Sequence, residues 1–280
     1  MADVRPRSPG GKPMTDYDGV NLELHRAHSA RMYDYFLGGV TNFAADREAA
    51  GRAKAVMPWI ETTARINRAF MHRSTRALAE AGIDQFLDVG TGIPTSPNLH
   101  EIAQRVNPGA TVVYADNDPI VLAHAKALLI GTPEGRTAYV QADVTDPAAL
   151  LASAELREAL DFSRPIALSL NALLHFVPDE LGTYDIVEHF KGSLVSGSAL
   201  AMTHVTSDFA PTEIARLVEI YQGAGTALQS RSEQEFTRFF GDWELVAPGV
   251  VPTQRWRPDG PEVAASDIES SVYAAVALKP

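Results

Sequence analysis

Three carboxylates, Asp88, Asp116 and Asp143, stand where short apolar runs stop. Just past the first come Gly90 and Gly92, which permit backbone torsions and a close ligand approach that a Cβ forbids. Asp116 lies about 24 residues beyond Gly92, where a strand-end carboxylate can accept hydrogen bonds from both ribose hydroxyls of a nucleoside. Asp143, at the next such stop, suits the exocyclic amine of an adenine, with the Val144 backbone available to the ring; a plain turn carboxylate is the alternative. Gly-x-Gly alone marks an ordinary strand-to-helix turn as readily as a cofactor loop. A dinucleotide loop wants a third glycine where the backbone meets the pyrophosphate, and Ile93-Pro94 stands there instead, so a ligand without phosphate is expected.

Other residues offer proton chemistry or charge. His175 and His204 each follow an apolar run on the same side, and a neutral imidazole there can take a proton from an attacking hydroxyl or amine; a pocket-lining or structural histidine is the alternative for both. Arg31 can grip a carboxylate with two prongs, and Tyr35 shares its helix face; ordinary helix packing is the alternative. Asp143 and Asp146 lack metal-ligand spacing beyond a ligand contact and a helix cap, so no metal is expected. The basic run Arg65, Arg68, His72, Arg73, Arg76 falls at helical spacing and reads as a solvated helix face.

These residues need a frame to hold them. Strands are expected at 86–89, 111–115, 137–141, 165–170 and 199–204, alternating with helices capped by Ser96-Pro97, Asp118-Pro119, Asp146-Pro147 and Pro178-Asp179. That alternation predicts an α/β fold: a Rossmann-like, doubly wound, mostly parallel sheet with helices on both faces. The rhythm then changes. Helices are expected near 211–224 and 232–240, the second with Ser232 and Glu235 spaced as a capping box, before strands at 243–246 and 272–278. Too little chain for a helix separates these two, so the C-terminal strand should pair antiparallel at the sheet edge. Ahead of the first strand, helices are expected at 27–37, from Thr41 or Asn42 to Pro58, and from Trp59 to Ala81, with Gly38-Gly39 as a stop or hinge. They form an N-terminal helical cap over 19–82, following a mobile arm at 1–18 and preceding the main domain at 83–280.

Composition limits what this frame can do. The 280 residues suffice for one α/β domain with a cap, and 45% hydrophobic with 21% charged residues is ordinary for a globular chain. A net charge of −11 argues against broad nucleic-acid binding, which needs a concentrated basic surface. There is no cysteine, which removes disulfides, thiolate metal sites and a cysteine nucleophile together. No stretch resembles a signal peptide or a membrane span, so a cytoplasmic location is expected.

The runs FLDVGTG (86–92), VYADNDP (113–119), QADV (141–144) and ALLHF (172–176) resemble the successive motifs of class I S-adenosylmethionine-dependent methyltransferases, over 86–278. The front half, with ARMYDYFLGG (30–39) and NFAADR (42–47), resembles a narrower actinobacterial group of S-adenosyl methyltransferase-like proteins of unknown function. The resemblance implies S-adenosylmethionine as cofactor, Gly90 and Gly92 facing its methionine part, and Asp116 on the ribose. It also implies Asn117 at the adenine edge, Asp143 with Val144 at the adenine amine, and Leu170 and Asn171 beneath the sulfonium. Pro94 departs from the third glycine of many such enzymes, which leaves the path of the loop open. Methyl transfer to oxygen or nitrogen of a small-molecule acceptor is the leading expectation. A nicotinamide-dependent oxidoreductase and a non-catalytic S-adenosylmethionine-binding regulatory protein are the alternatives.

Overall fold

A computed structural model describes residues 16–17, 20–21, 23–128, 130–260 and 265–280. All but two residues of the expected arm at 1–18 and the last residue of the helix expected to reach Leu129 lie outside the described residues.

A short antiparallel pair, Asp16–Tyr17 with Val20–Asn21, precedes three helices: α1 (Ser29–Phe36), α2 (Ala44–Val56) and α3 (Ile60–Glu80). Then β1 (Gln85–Val89), α4 (Leu99–Val106), β2 (Thr111–Asp116), α5 (Pro119–Leu128) and β3 (Arg136–Gln141) alternate. The helix expected after Asp146 is divided at Ser153 into α6 (Pro147–Ala152) and α7 (Ala154–Ala159). Next follow β4 (Ala167–Leu170), α8 (Thr183–Ser193), β5 (Ala199–Val205), α9 (Pro211–Gly223) and α10 (Glu233–Thr237). The chain ends with β6 (Glu244–Leu245), β7 (Val251–Pro252), α11 (Asp267–Ser270) and β8 (Val272–Leu278).

The sheet runs β3-β2-β1-β4-β5-β8-β6, with β7 also on β8. The first five strands are parallel; β8 is antiparallel to β5, with Val276 opposite Ala201, and β6 is antiparallel to β8. The chain reverses direction of travel at β1, from which β2 and β3 lie to one side and β4 and β5 to the other. A crevice opens there beyond the strands' carboxyl ends. The C-terminal strand is antiparallel as expected but lies inside the two-residue strands β6 and β7, which form the rim.

Two apolar layers sandwich the sheet, and a third cluster joins Met32, Phe36, Ala53 and Ile60 of the front helices to Val205, Leu217 and Tyr221. Local capping chemistry sets several helix starts. Asp118 Oδ1 accepts from the Ile120 amide at 2.8 Å, as its position before Pro119 predicts, and Ser232 with Glu235 forms the expected box. Two caps differ from expectation. Helix α4 starts at Asn98, whose backbone amide donates to Glu101 Oε1 at 3.0 Å, so Ser96-Pro97 lies ahead of it. Helix α2 starts after Phe43 because the Phe43 amide donates to Asp46 Oδ2 at 2.8 Å, while Asn42 is turned inward to Asp34.

The basic run on α3 is not a solvated face. Only Arg65 is exposed; Arg73 is 3% exposed and donates through Nε to the Trp256 carbonyl at 2.8 Å and through Nη2 to the Thr253 carbonyl at 2.7 Å. Helical spacing identified one face correctly, but that face is covered by the chain leading into β8 and by the loop after β1.

Candidate active site

The cavity at the crevice begins at the turn after β1. Gly90 has φ +73° and Gly92 φ +67°, in the left-handed region that favours glycine. A Cβ on Gly90 would meet the Leu173 side chain at 2.6 Å, so a larger residue there would have to displace Leu173 as well as adopt a positive φ. Asp116, at the end of β2, holds this loop: Oδ2 accepts from the Gly92 amide at 2.9 Å and Oδ1 from the Asp118 amide at 2.9 Å. Asp116 is only 7% exposed, yet it lines the cavity. Burial pushes its carboxyl up, against the two amides, and the remaining lone pairs can serve a ligand's hydroxyls.

Asn117 is exposed, lines the cavity and donates to Asp143 Oδ2 at 3.2 Å. Asp143 is not itself on the cavity wall. Its carboxylate accepts from the Thr145 amide at 2.8 Å and the Thr145 hydroxyl at 2.7 Å. Desolvation works against its charge, but those bonds prevail and hold the carboxyl below its ordinary range. Its neighbours Ala142 and Val144 do line the cavity.

Past β4, the candidates separate. Leu170 is fully buried in the core and off the cavity, whereas Asn171 and Leu173 line it. Ala172, at φ +51°, swings these two outward and is pinned by its amide on Thr203 Oγ1 at 2.8 Å. His175 lines the cavity with Nδ1 buried and unpartnered, and burial together with the nearby Arg231 lowers its pKa to about 3. It stays neutral across ordinary pH and is a weak base. His204 lies off the cavity, fully buried. Arg231 Nη1 donates to its Nε2 at 2.6 Å, so its proton is on Nδ1 and goes to the Val205 carbonyl at 2.8 Å. Arg231, 1% exposed, also bonds the Leu174 and Val177 carbonyls and pairs with Asp179 at 2.6 Å, fixing the turn that carries His175 and Phe176.

From the cap, Arg31 and Tyr35 do not reach the cavity; His28, Ser29, Ala30, Tyr33 and Phe36 do. Arg31 is 3% exposed, with Nε 3.5 Å from Asp46 and 3.9 Å from Asp118 and Nη2 donating to the Arg26 carbonyl at 3.1 Å. Asp46, wholly buried, accepts from the His28 and Phe43 amides at 2.9 and 2.8 Å, so one carboxylate gathers the starts of α1 and α2. Arg31 therefore braces helices. Tyr35 is half-buried and packs against the cluster of Met32, Phe36 and Ile60.

Three cavity groups were given no ligand role by the sequence. Arg68 lines the cavity and donates to the carbonyls of Thr95 and Pro97, and desolvation lowers its pKa. It is a cation at the glycine loop. Asp88 also faces the cavity, and burial raises its carboxyl to about 6 against a hydrogen bond from Ser169. Asn67, beside Arg68 on α3, also lines the cavity. Together the glycine loop, Asp116, Asn117, Asp88 and Arg68 fit an amino-acid-bearing nucleoside: an acceptor for ribose, an anion for an ammonium and a cation for a carboxylate.

The whole described fold matches a family model for S-adenosyl methyltransferases over residues 16–280. A DUF574 family protein from Streptomyces avermitilis MA-4680 is 48% identical, covering 92% of this chain and all of that one, with a TM-score of 0.91. A candidate methyltransferase from Thermobifida fusca YX is 40% identical over 94% of this chain and 98% of its own, with a TM-score of 0.85. The plantazolicin methyltransferase BpumL, solved with S-adenosylhomocysteine, shares the fold at 12% identity, covering 90% of this chain and 95% of its own, with a TM-score of 0.51. No functionally curated relative matches. The chain belongs to the S-adenosyl methyltransferase family: it is a methyltransferase with S-adenosylmethionine as its cofactor.

Proposed function

We propose that the protein transfers a methyl group to an oxygen or nitrogen of a small molecule held beside the cofactor. One observation carries this reading. The cavity does not stop at the cofactor loop but runs on into a lobe walled by α1, α3 and α9, where Phe36, Ile60, Leu217 and Tyr221 are buried. A protein that only sensed the cofactor would need no such second chamber.

When bound, the cofactor supplies an electrophilic methyl group on a sulfonium. The chain's task is to bind, orient and exclude water. Asp116 takes the ribose hydroxyls, Asn117 and Val144 the adenine with Asp143 steadying Asn117, and Gly90 and Gly92 leave room for the methionine part. Arg68 receives the carboxylate in the role that the sequence suggested for Arg31, and Asp88 the ammonium. Asn171 lies beside the reacting centre, with His175 as a neutral hydrogen-bonding wall rather than a strong base.

Calorimetry with S-adenosylhomocysteine and with NADH, followed by turnover of S-adenosylmethionine across a metabolite panel, tests this. Tight S-adenosylhomocysteine binding and a methylated product are expected. Binding without a product from any acceptor would favour a regulatory protein, and tighter NADH binding would favour an oxidoreductase.

A further inference from the structure

Two carboxamide oxygens in this cavity have no donor among the described residues. The Tyr33 hydroxyl donates its one proton to the Ala64 carbonyl at 3.0 Å, so Asn67, 2.8 Å away, must present its NH2 to Tyr33. That leaves Asn67 Oδ1 buried and unpartnered, on a side chain 5% exposed in the cavity wall. A second lining carboxamide is held in a similar way. Ser169 Oγ, which lies by Asp88 and favours its charged form, accepts from Asn171 Nδ2 at 2.7 Å, leaving Asn171 Oδ1 buried and unpartnered. Native interiors rarely leave such acceptors empty, so a ligand's donors are the natural complement.

Apart from the Tyr33 and Tyr221 hydroxyls and His175 Nδ1, the lobe around Asn67 is apolar. Phe36, Met57, Ile60, Phe176 and Leu217 form it, and the Thr63 hydroxyl is turned away onto the Glu269 carbonyl at 2.7 Å. The charged lining groups Arg68, Asp88 and Asp116 belong to the glycine-loop end. A cation or anion placed in the lobe would lose its hydration without a partner.

We propose that the methyl acceptor is a neutral, weakly basic amine conjugated to an apolar ring system, whose N–H groups fill the acceptors Asn67 Oδ1 and Asn171 Oδ1. This rests on the methyltransferase reading above. Nitrogen suits the site because it attacks through its own lone pair, whereas a hydroxyl must give up its proton as the bond forms. His175 Nδ1 is free to meet that proton, but burial and Arg231 lower its pKa to about 3 and make it a weak base; the Tyr33 hydroxyl is committed to Ala64, and Ser169 is taken up by Asn171. The nitrogen lone pair forms the N–C bond, the pair of the breaking C–S bond stays on sulfur, and the N–H proton leaves afterwards to water. Asn171 Oδ1 holds that N–H as positive charge grows on nitrogen.

The full chain saturated with S-adenosylhomocysteine is titrated calorimetrically with 1-naphthylamine, 1-naphthol and the cationic 1-naphthylmethylamine. Naphthylamine should bind at least tenfold more tightly than the other two, and with S-adenosylmethionine only it should give an N-methyl product. Asn67→Leu should weaken naphthylamine binding at least tenfold while S-adenosylhomocysteine affinity, which also reports a folded site, stays put. Equal or tighter naphthol binding, an ether product, or an unaffected Asn67→Leu variant would overturn the proposal. If S-adenosylhomocysteine binds but no naphthylamine does, the acceptor class alone is wrong; if S-adenosylhomocysteine does not bind, the cofactor assignment of the cavity falls as well.

Discussion

Asp116 does two jobs that a sequence cannot separate. As a strand-end carboxylate it is available to a ribose, and it also accepts the Gly92 and Asp118 amides that shape the loop. Asp116→Ala should therefore weaken S-adenosylhomocysteine binding about 30- to 150-fold, the equivalent of about 2–3 kcal/mol for a lost charge-assisted pair. It should also lower the unfolding midpoint, because two buried amides lose their acceptor; an unaltered affinity would remove Asp116 from the site. Asp88 adds a pH dependence. Its folded pKa, about 6, is above the unfolded value, so its contribution to stability is fully present below about pH 4 and is lost as pH rises through 6. Denaturant titrations should show the difference between wild type and Asp88→Asn falling on the order of 3 kcal/mol across that window. A cofactor ammonium beside Asp88 favours the charged carboxylate, so S-adenosylhomocysteine affinity should rise over the same pH range in wild type and stay flat in Asp88→Asn.

At the level of elements, the front helices are tied to the sheet by buried polar hubs as much as by apolar contact. Arg31, Asp46 and Asp118 join the starts of α1 and α2 to the end of β2, beside His28 at 3.2 Å from Asp118. Because His28, Ser29, Ala30 and Tyr33 line the cavity, hydrogen exchange within Ser29–Phe36 should slow when S-adenosylhomocysteine is added, with β4 and β5 unchanged. Protection confined to the glycine loop would make α1 a fixed wall. Helix α3 is anchored differently, by Arg73 on the Thr253 and Trp256 carbonyls. Arg73→Met should lose on the order of 2–4 kcal/mol in urea unfolding, since it leaves buried carbonyls without donors, while the folded fraction keeps its cofactor affinity.

For the molecule as a whole, the front helices and the sheet share one interior. Phe70 and Leu78 of α3 pack in the same cluster as Phe86 and Val112, and Met32 and Ile60 pack with Leu217 and Tyr221. A chain beginning at residue 83 should thus show no cooperative thermal transition by circular dichroism, because it exposes both clusters. The order of strands and helices, the antiparallel last strand and the glycine loop were legible in the sequence, because period and turn chemistry are local. So were the strand-end positions of Asp116 and Asn171, from which both line the cavity. Which flanking residues face the cavity was not legible. Arg31 and Arg68 are both helical arginines near apolar stripes, and only the packing of α1 against α2 and of α3 against the glycine loop turns the first to Asp46 and the second to the cavity. His175 and His204 both follow strands, yet the approach of Arg231 from 27 residues beyond His204 closes one and leaves the other facing the chamber. Local pattern fixes where a side chain starts. Where it ends depends on contacts between distant segments, and those exist only once the chain has packed.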